Sequence, residues 1–587
     1  MLQPELIKMS TKEKKHQYLL VDIASNITKA ILIQDQHITE ITKSKTTVDE
    51  PTLDVTVGVL DAVKQIEKDQ AVKLVQGDKV DPSVKLLCSS NASGGLHMIV
   101  TGVIGNISGE SAQRAALGAG ALLIDTFSKD DNRPDYQKVV AMRTMKPDIL
   151  LMSGGTDGGA SSQVFEMTEV IKDSDIKPRF GQEYHLPVIY AGNISIRDQV
   201  EHILSEDEYD LKMVENVRPL INKENLGPAR ESIYDAYMEH VIIHSPGYPK
   251  LAEWTDERIV PSQAMVGKLL YMYAQRNSIN LIAADIGGDT TDIYSVYNGV
   301  FNRSLNAGIG LTYGISNIVK EAGVDKVLRW LPATMDERTV RNIIGNMMIK
   351  PHSDLSDEER MIQSAISREA IRLGLDKHKV IASRLKGVLI SRSISDMFNQ
   401  AIEPTLINMM ETSMILGKGD AFQSQTVEES MMILIDSLQL TGITGLYLDP
   451  ENLSAPLGNL LTHDKEAALE LFTSRALNFI GTCIAPSGDL KEGTESLKME
   501  IIKPSGEKNV HSFNSGEINV IPVKDSETIE VNLIPVRTDL GAGRGKIVQK
   551  QLRVGKLGLI VDTRGRPLEK HRQTVKLLPF ESLGRYD

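Results

Sequence analysis

Two cysteines, Cys88 and Cys483, are all the thiols in 587 residues. They cannot build a disulfide scaffold or a cysteine-based zinc site, and a reducing cytoplasm is the expected compartment. Aromatic residues are scarce, at 5%. The two tryptophans, Trp254 and Trp330, read as packing residues rather than a stacking platform. No uninterrupted apolar run reaches ~18 residues, so no transmembrane helix and no membrane partner are expected. Residues 1–16 are polar with scattered lysines, lack the apolar centre of a signal peptide, and read as a disordered tail. The net charge of -13, with no long basic stripe, argues against nucleic acid as a partner. Three chemistry-bearing patterns are missing as well: Gly-x-x-x-x-Gly-Lys-[Ser/Thr], His-Glu-x-x-His and Gly-x-Ser-x-Gly. Their absence excludes a conventional P-loop and leaves the scattered histidines as surface or satisfied core residues.

What is present is ordinary in bulk, 41% hydrophobic and 24% charged, and long enough for roughly three to four domain-sized units. The informative stretch is 281–296, LIAADIGGDTTDIYSV. An apolar run reads as a buried strand, Asp285 stands at its end, and Gly287-Gly288 open a tight turn with positive φ. Thr290, Thr291 and Asp292 then lead into a second strand. Such a turn can offer backbone N–H groups and two hydroxyls to phosphate, and Asp285 can hold Mg²⁺ directly or through water. Taken alone, the run fits an ordinary hairpin with an Asx turn equally well.

A second stretch, 18–33, YLLVDIASNITKAILI, repeats the layout with Asp22, Ser25, Thr28 and Lys29. Two Asp-tipped hairpins in one chain resemble the phosphate motifs of the actin-like ATPase superfamily, which includes sugar kinases and heat-shock chaperones. That resemblance implies two lobes with a nucleotide between them, Asp22 and Asp285 as catalytic and metal-holding residues, and ATP contacts from Ser25, Thr28, Lys29, Gly287, Gly288, Thr290 and Thr291. Gly417 and Gly419, after the second hairpin, stand where an adenosine-contacting turn is expected. The chain departs from the pattern at Ala24, where glycine is usual, and at Lys418 and Asp420, where smaller residues are usual.

Between the hairpins, strands alternate with helices, which implies a mostly parallel sheet. Three loops rich in glycine or asparagine follow strands there: 91–95, 153–159 and 191–193. The run Gly154-Gly155-Thr156-Asp157-Gly158-Gly159 reads either as an anion- or partner-binding loop or as a sharp strand-to-helix crossover. After about residue 486 the chain becomes short strands punctuated by Gly, Pro, Ser and Asn. Gly541-Ala542-Gly543-Arg544-Gly545 lies among them and reads as a turn, with no helix after it.

The order of LLCSSNASGGLHM (86–98), AALGAGA (115–121), SGGTDGG (153–159), AGN (191–193) and ADIGGDTTD (284–292) is similar to that of the glutamate mutase L family, the accessory proteins of methylaspartate mutase. The likeness covers nearly the whole chain. It implies an α/β fold: duplicated actin-like (ribonuclease H-like) ATPase lobes with an α/β insertion and a C-terminal mainly-β domain. The expected divisions are 17–80 for the start of the first lobe, 81–250 for the glycine-loop region, 251–485 for the second lobe with a helical insertion, and 486–587 for the β domain. It further implies an ATP- and Mg²⁺-dependent reactivating chaperone, possessing ATPase activity, that exchanges damaged cofactor of a cobalamin-dependent mutase through lobe closure. Cobalamin itself is not expected to be held through Asp-x-His-x-x-Gly, since Asp376-Lys377-His378 begins that pattern without its glycine. A small-molecule kinase and a nucleotide-free scaffold stay open as alternatives.

Overall fold

The computed structural model describes residues 17–91, 96–179, 185–204, 209–312, 314–348, 355–387, 405–502, 508–522 and 528–568. The expected tail 1–16 and most of the loop 91–95 lie outside the described residues. The chain divides into two compact units. One comprises Met1–Gly95, Met238–Met265 and Ala455–Leu471, and the other Leu96–Tyr237, Val266–Ser454 and Phe472–Asp587.

The smaller unit is built on a five-stranded sheet. Gln17–Ile23, Ile27–Gln34 and His37–Lys45 form an antiparallel meander, and Lys85–Ser90 and Val260–Pro261 extend it in parallel. The strand Lys85–Ser90 therefore belongs with the first hairpin rather than with the glycine-loop region that begins at 81 in the sequence reading. Helix Val55–Gln70 buries Val59, Val63 and Ile66 against this unit's core. That face follows from apolar residues at helical spacing, and Asp54 caps the start by accepting the Thr56 N–H at 2.9 Å.

The larger unit repeats the arrangement. Leu281–Ile286, Thr290–Tyr297 and Val300–Ala307 form the meander, and Met414–Gly419 and Gly442–Asp449 add in parallel. The strand order and the sense of every pairing match those of the smaller unit, which is the duplicated ribonuclease H-like arrangement. Helix Asp357–Ile381 packs on this sheet. Ser356 and Glu359 close a capping box at its start, and Asp357, Glu358 and Glu359 complement its dipole. Ile362, Ala365, Ile366, Ala370, Ile371 and Leu375 recur at helical spacing and enter the main core. Each isoleucine or leucine among them contributes roughly 1.5–3 kcal/mol on full burial.

Two further sheets complete the larger unit. Leu122–Ser128, His97–Gly102, Ile149–Met152, Leu186–Tyr190 and Tyr209–Met213 lie side by side in that order, all parallel, and form a doubly wound insertion. The C-terminal region supplies an antiparallel sheet ordered Lys508–Asn514, Glu495–Ile502, Thr528–Pro535, Val548–Arg553. It is not wholly a separate β domain. Leu559–Asp562 pairs in parallel with Asn478–Ala485, Ile518–Ile521 pairs with Leu559–Asp562, and together they extend the main sheet to eight strands.

Both thiols end in strands with no exposed surface, and burial pushes each up to about 12. Thiolate is the reactive form. Iodoacetamide should therefore leave both thiols of the native chain unmodified and add two carbamidomethyl groups after guanidinium unfolding. Rapid alkylation of the native chain would contradict the burial.

Candidate functional site

The two hairpins superimpose residue for residue in their pairing. Asp22 faces Lys29, and Asp285 faces Asp292, each across an antiparallel ladder. Both turns are closed by the same bond, Ala24 N–H to Ile27 O and Gly287 N–H to Thr290 O, each at 3.0 Å. Ala24 thus occupies the place of Gly287. Its methyl meets no obstacle of principle there, because the nearest atom to a Cβ at Gly287 is the Thr290 carbonyl at 3.9 Å. Neither Gly287 nor Gly288 has the positive φ that the sequence suggested. What Gly288 satisfies is space: a Cβ would lie 2.6 Å from Thr312 Oγ1, and its carbonyl accepts the Thr312 N–H at 2.7 Å. The turn thereby packs on residues 308–312.

The hydroxyls divide into committed and exposed groups. Thr291 is buried and donates to Ile309 O at 2.7 Å. Thr28 is buried and shares a hydrogen bond with Thr46 at 2.9 Å. Both therefore hold their turns to the residues just past the third strand of the meander. Thr290 is half-buried, and Ser25 is exposed at the tip of the first turn. Lys29 is buried beside Asp22.

Asp22 carries partners that only the folded chain reveals. Ser89 Oγ and Ser262 Oγ both donate to its Oδ1, at 2.7 Å each. Ser89 is the residue opposite Asp22 on the parallel strand. The pair Ser89-Ser90 at a strand end was the one signal in the sequence. Ser262 follows the two-residue strand Val260–Pro261 and gave none.

Asp285 has a different environment. The residue opposite it on the parallel strand is Lys418, whose Nζ lies 2.5 Å from Asp285 Oδ2. The lysine side chain is 7% exposed and the aspartate 17%. Gly417, Lys418 and Gly419 are strand residues rather than an open turn. A Cβ on Gly417 would meet the Phe422 ring at 2.9 Å, and one on Gly419 would lie 2.5 Å from Asp285 Oδ1. Their small size serves packing around Asp285. Asp292 is buried and pairs with Arg303, with Nη2 at 2.7 Å and Nε at 2.8 Å from Oδ1. Burial pushes the Asp292 carboxyl above its usual range, and Arg303 opposes that shift.

The glycine-dense loop 153–159 is knitted to itself and its neighbours. Asn193 Oδ1 accepts the N–H of Gly158 and Ser195, and Asn216 Nδ2 donates to Gly155 O and Asp157 Oδ1. Asp157 Oδ1 also accepts the Ile194 N–H at 3.2 Å. A Cβ at Gly155 would stand 2.6 Å from Ala160 O, and one at Gly192 would stand 2.9 Å from Gly154 O. Gly155 and Gly158 also have φ of 67° and 72°. Close backbone approach and left-handed geometry account for these glycines. The Gly541–Gly545 run is a turn whose N–H groups at 541 and 543 are collected by Asp539 Oδ1. His378 of the incomplete cobalamin pattern is inside the long helix, buried between the hydroxyls of Ser304 (2.9 Å) and Ser295 (2.8 Å).

The sequence model of one family, described as MutL protein, matches residues 18–476. That match spans both hairpins and the doubly wound insertion. The chain belongs to the MutL family. A relative named Protein MutL, from Clostridium tetanomorphum, is 27% identical over 409 residues, covering 65% of this chain and 83% of that protein. Among solved structures, the MutL-family chain is similar to a nucleotide-free acetone carboxylase (10% identity, TM-score 0.33, 86% of this chain and 81% of that one). It is also similar to component A of (R)-2-hydroxyglutaryl-CoA dehydratase from Acidaminococcus fermentans (9% identity, TM-score 0.25, 77% of this chain and 99% of that one). Likeness at such scores decides nothing about function. No helix among the described residues is long and apolar enough to cross a membrane.

Proposed function

We propose that this MutL-family chain is an ATP-responsive accessory protein that acts on a cobalamin-dependent mutase of the glutamate mutase type. The observation that carries the nucleotide half of this reading is the repeated hairpin. One chain presents the same Asp-tipped turn twice, in the same register and at the end of the same strand order. Membership of the MutL family supports the mutase as partner, and exchange of damaged cobalamin is the task that fits an accessory protein of such an enzyme.

Asp22 fits a magnesium ion. It is half-buried one residue before the end of its strand, the two hydroxyls of Ser89 and Ser262 fall on one of its oxygens, and Lys29 faces it across the antiparallel ladder as a second cation for phosphate. Mg²⁺ there would neutralise phosphate charge. Ser89 and Ser262 fix the orientation of the carboxylate. In the first hairpin Ser25, exposed at the turn, offers a neutral donor toward phosphate oxygens, and in the second the backbone N–H of Gly288 offers its own, that of Gly287 being committed to Thr290 O. One structural feature favours a second reading, a nucleotide-free scaffold: the Lys418 ammonium seated on Asp285.

Calorimetry separates the two. The natural chain should bind ATP in the presence of Mg²⁺, and Asp22→Ala should lose at least tenfold in affinity. Addition of the protein with ATP to a mutase holding inactivated cobalamin should restore turnover, and ATP omitted should not. No ATP binding by the natural chain would leave the scaffold reading standing.

A further inference from the structure

A cavity of about 410 Å³ opens in the larger unit. Arg372, Leu375, Asp376 and Lys379 form one wall, on a single face of the helix Asp357–Ile381. The end of the helix Val427–Leu438 forms a second wall, and Arg566 and Pro567 a third. Met409 precedes the strand Met414–Gly419, and Gln439 precedes Gly442–Asp449; both line the cavity. The cavity thus sits by the beginnings of these parallel strands. Asp285 stands near their other ends, level with Lys418 and Asp449. It is a different place from the turn of the second hairpin.

Three cations and one carboxylate line this space, in a chain whose net charge is -13. The buried carboxylates behind the walls are shared. Glu369 takes both Arg372 Nε at 2.7 Å and Arg329 Nη2 at 2.8 Å. Asp562 takes both Arg566 Nη2 at 2.6 Å and Arg564 Nε at 2.9 Å. Arg566 is fixed further by donating to Leu440 O and Gly565 O. These bonds hold the two guanidiniums in place and still leave donors. Among the described residues Arg372 Nη2 has no partner, and the Lys379 ammonium meets only Asp376, at 3.9 Å. A fixed guanidinium matches a carboxylate or phosphate group in geometry as well as charge. Leu375, Leu438, Met409 and Pro567 give the same cavity an apolar side. Its volume lies within the roughly 300–1,000 Å³ of small-molecule sites.

We propose that this cavity binds a small organic anion. Arg372, Lys379 and Arg566 take its carboxylate or phosphate group, and the apolar side takes a short aliphatic body. The site is independent of the nucleotide reading.

Calorimetry on the full chain at low ionic strength, without nucleotide, tests it with valerate, n-butyl phosphate and n-butylamine as probes. At least one of the two anions should bind, the tighter of them identifying the head group, and the amine should not. Lys379→Met and Arg372→Met should each weaken that binding about tenfold, the loss of one charge-assisted hydrogen bond. Asp376→Asn should tighten it, because the lining carboxylate repels an anion and occupies Arg372 Nη1. A purely structural role would not produce opposite changes from neighbouring residues. Circular dichroism checks folding. Should Arg372→Met fail to fold, Lys379→Met carries the test, since that side chain is 42% exposed. Failure of both anions to bind overturns the inference. So does binding of n-butylamine as tight as theirs, or anion binding that Lys379→Met does not weaken and Asp376→Asn does not tighten.

Discussion

Replacing Arg303 with methionine is expected to lower the stability of the larger unit by about 3–5 kcal/mol, the cost of leaving a buried carboxylate without its partner. Asp292 is 2% exposed and Arg303 3%. The guanidinium makes two bonds to Asp292 and also donates through Nη1 to Leu117 O at 2.7 Å and Ala121 O at 3.3 Å. It therefore joins the second hairpin to the end of the helix Glu110–Gly118 in the doubly wound insertion, and its loss strands two carbonyls as well as a charge. Urea unfolding reads the effect as a lower midpoint. Arg303→Met combined with Asp292→Leu should recover part of the loss, since removing both charges leaves neither buried alone. An unchanged midpoint in the single variant would show that water reaches the pair.

The second large effect concerns pH. Burial pushes His378 down to about 3, against about 6.5 in an unfolded chain. The neutral ring donates one hydrogen bond and accepts one, which the hydroxyls of Ser304 and Ser295 can both satisfy. Between these two values the unfolded chain binds a proton that the folded chain does not. Stability contributed by neutral His378 is thus fully present above pH 6.5 and falls as the pH drops toward 3, by about 1.4 kcal/mol per pH unit. His378→Gln should remove that slope while the stability at pH 7.5 changes less. Urea unfolding of both proteins from pH 7.5 to 4.5 measures the difference. Parallel curves would mean that His378 is protonated in the fold.

The hairpins were legible in the sequence because each puts an aspartate at the end of an apolar strand and a short polar turn after it, both local features. Their strand order was legible only in outline. The strand Lys85–Ser90 lies far from Gln17–Ile23 in sequence and reads equally well as the start of the next βα unit. Ser262 could not have been found, since it is 240 residues from Asp22 and stands in no pattern. Lys418 was visible as a departure from a glycine turn, but its meaning depends on register: one residue's slip along the strand would put it on the other face of the sheet, away from Asp285. The glycines of 153–159 read equally as a ligand loop or a sharp crossover because glycine density marks close approach of any kind. Here the approaching groups include the chain's own Asn193, Asn216 and Ala160.

The strand Leu559–Asp562 lies between Asn478–Ala485 and Ile518–Ile521 in the main sheet. During synthesis at roughly 5–20 residues per second, the strand Asn478–Ala485 leaves the ribosome well before its neighbour exists. For that interval its outer edge presents unpaired backbone to any other nascent chain, the condition under which sheets join between molecules. A premature stop just before the codon for Leu559 would make that interval permanent. Such a product would carry both hairpins intact and still be expected to accumulate as aggregate.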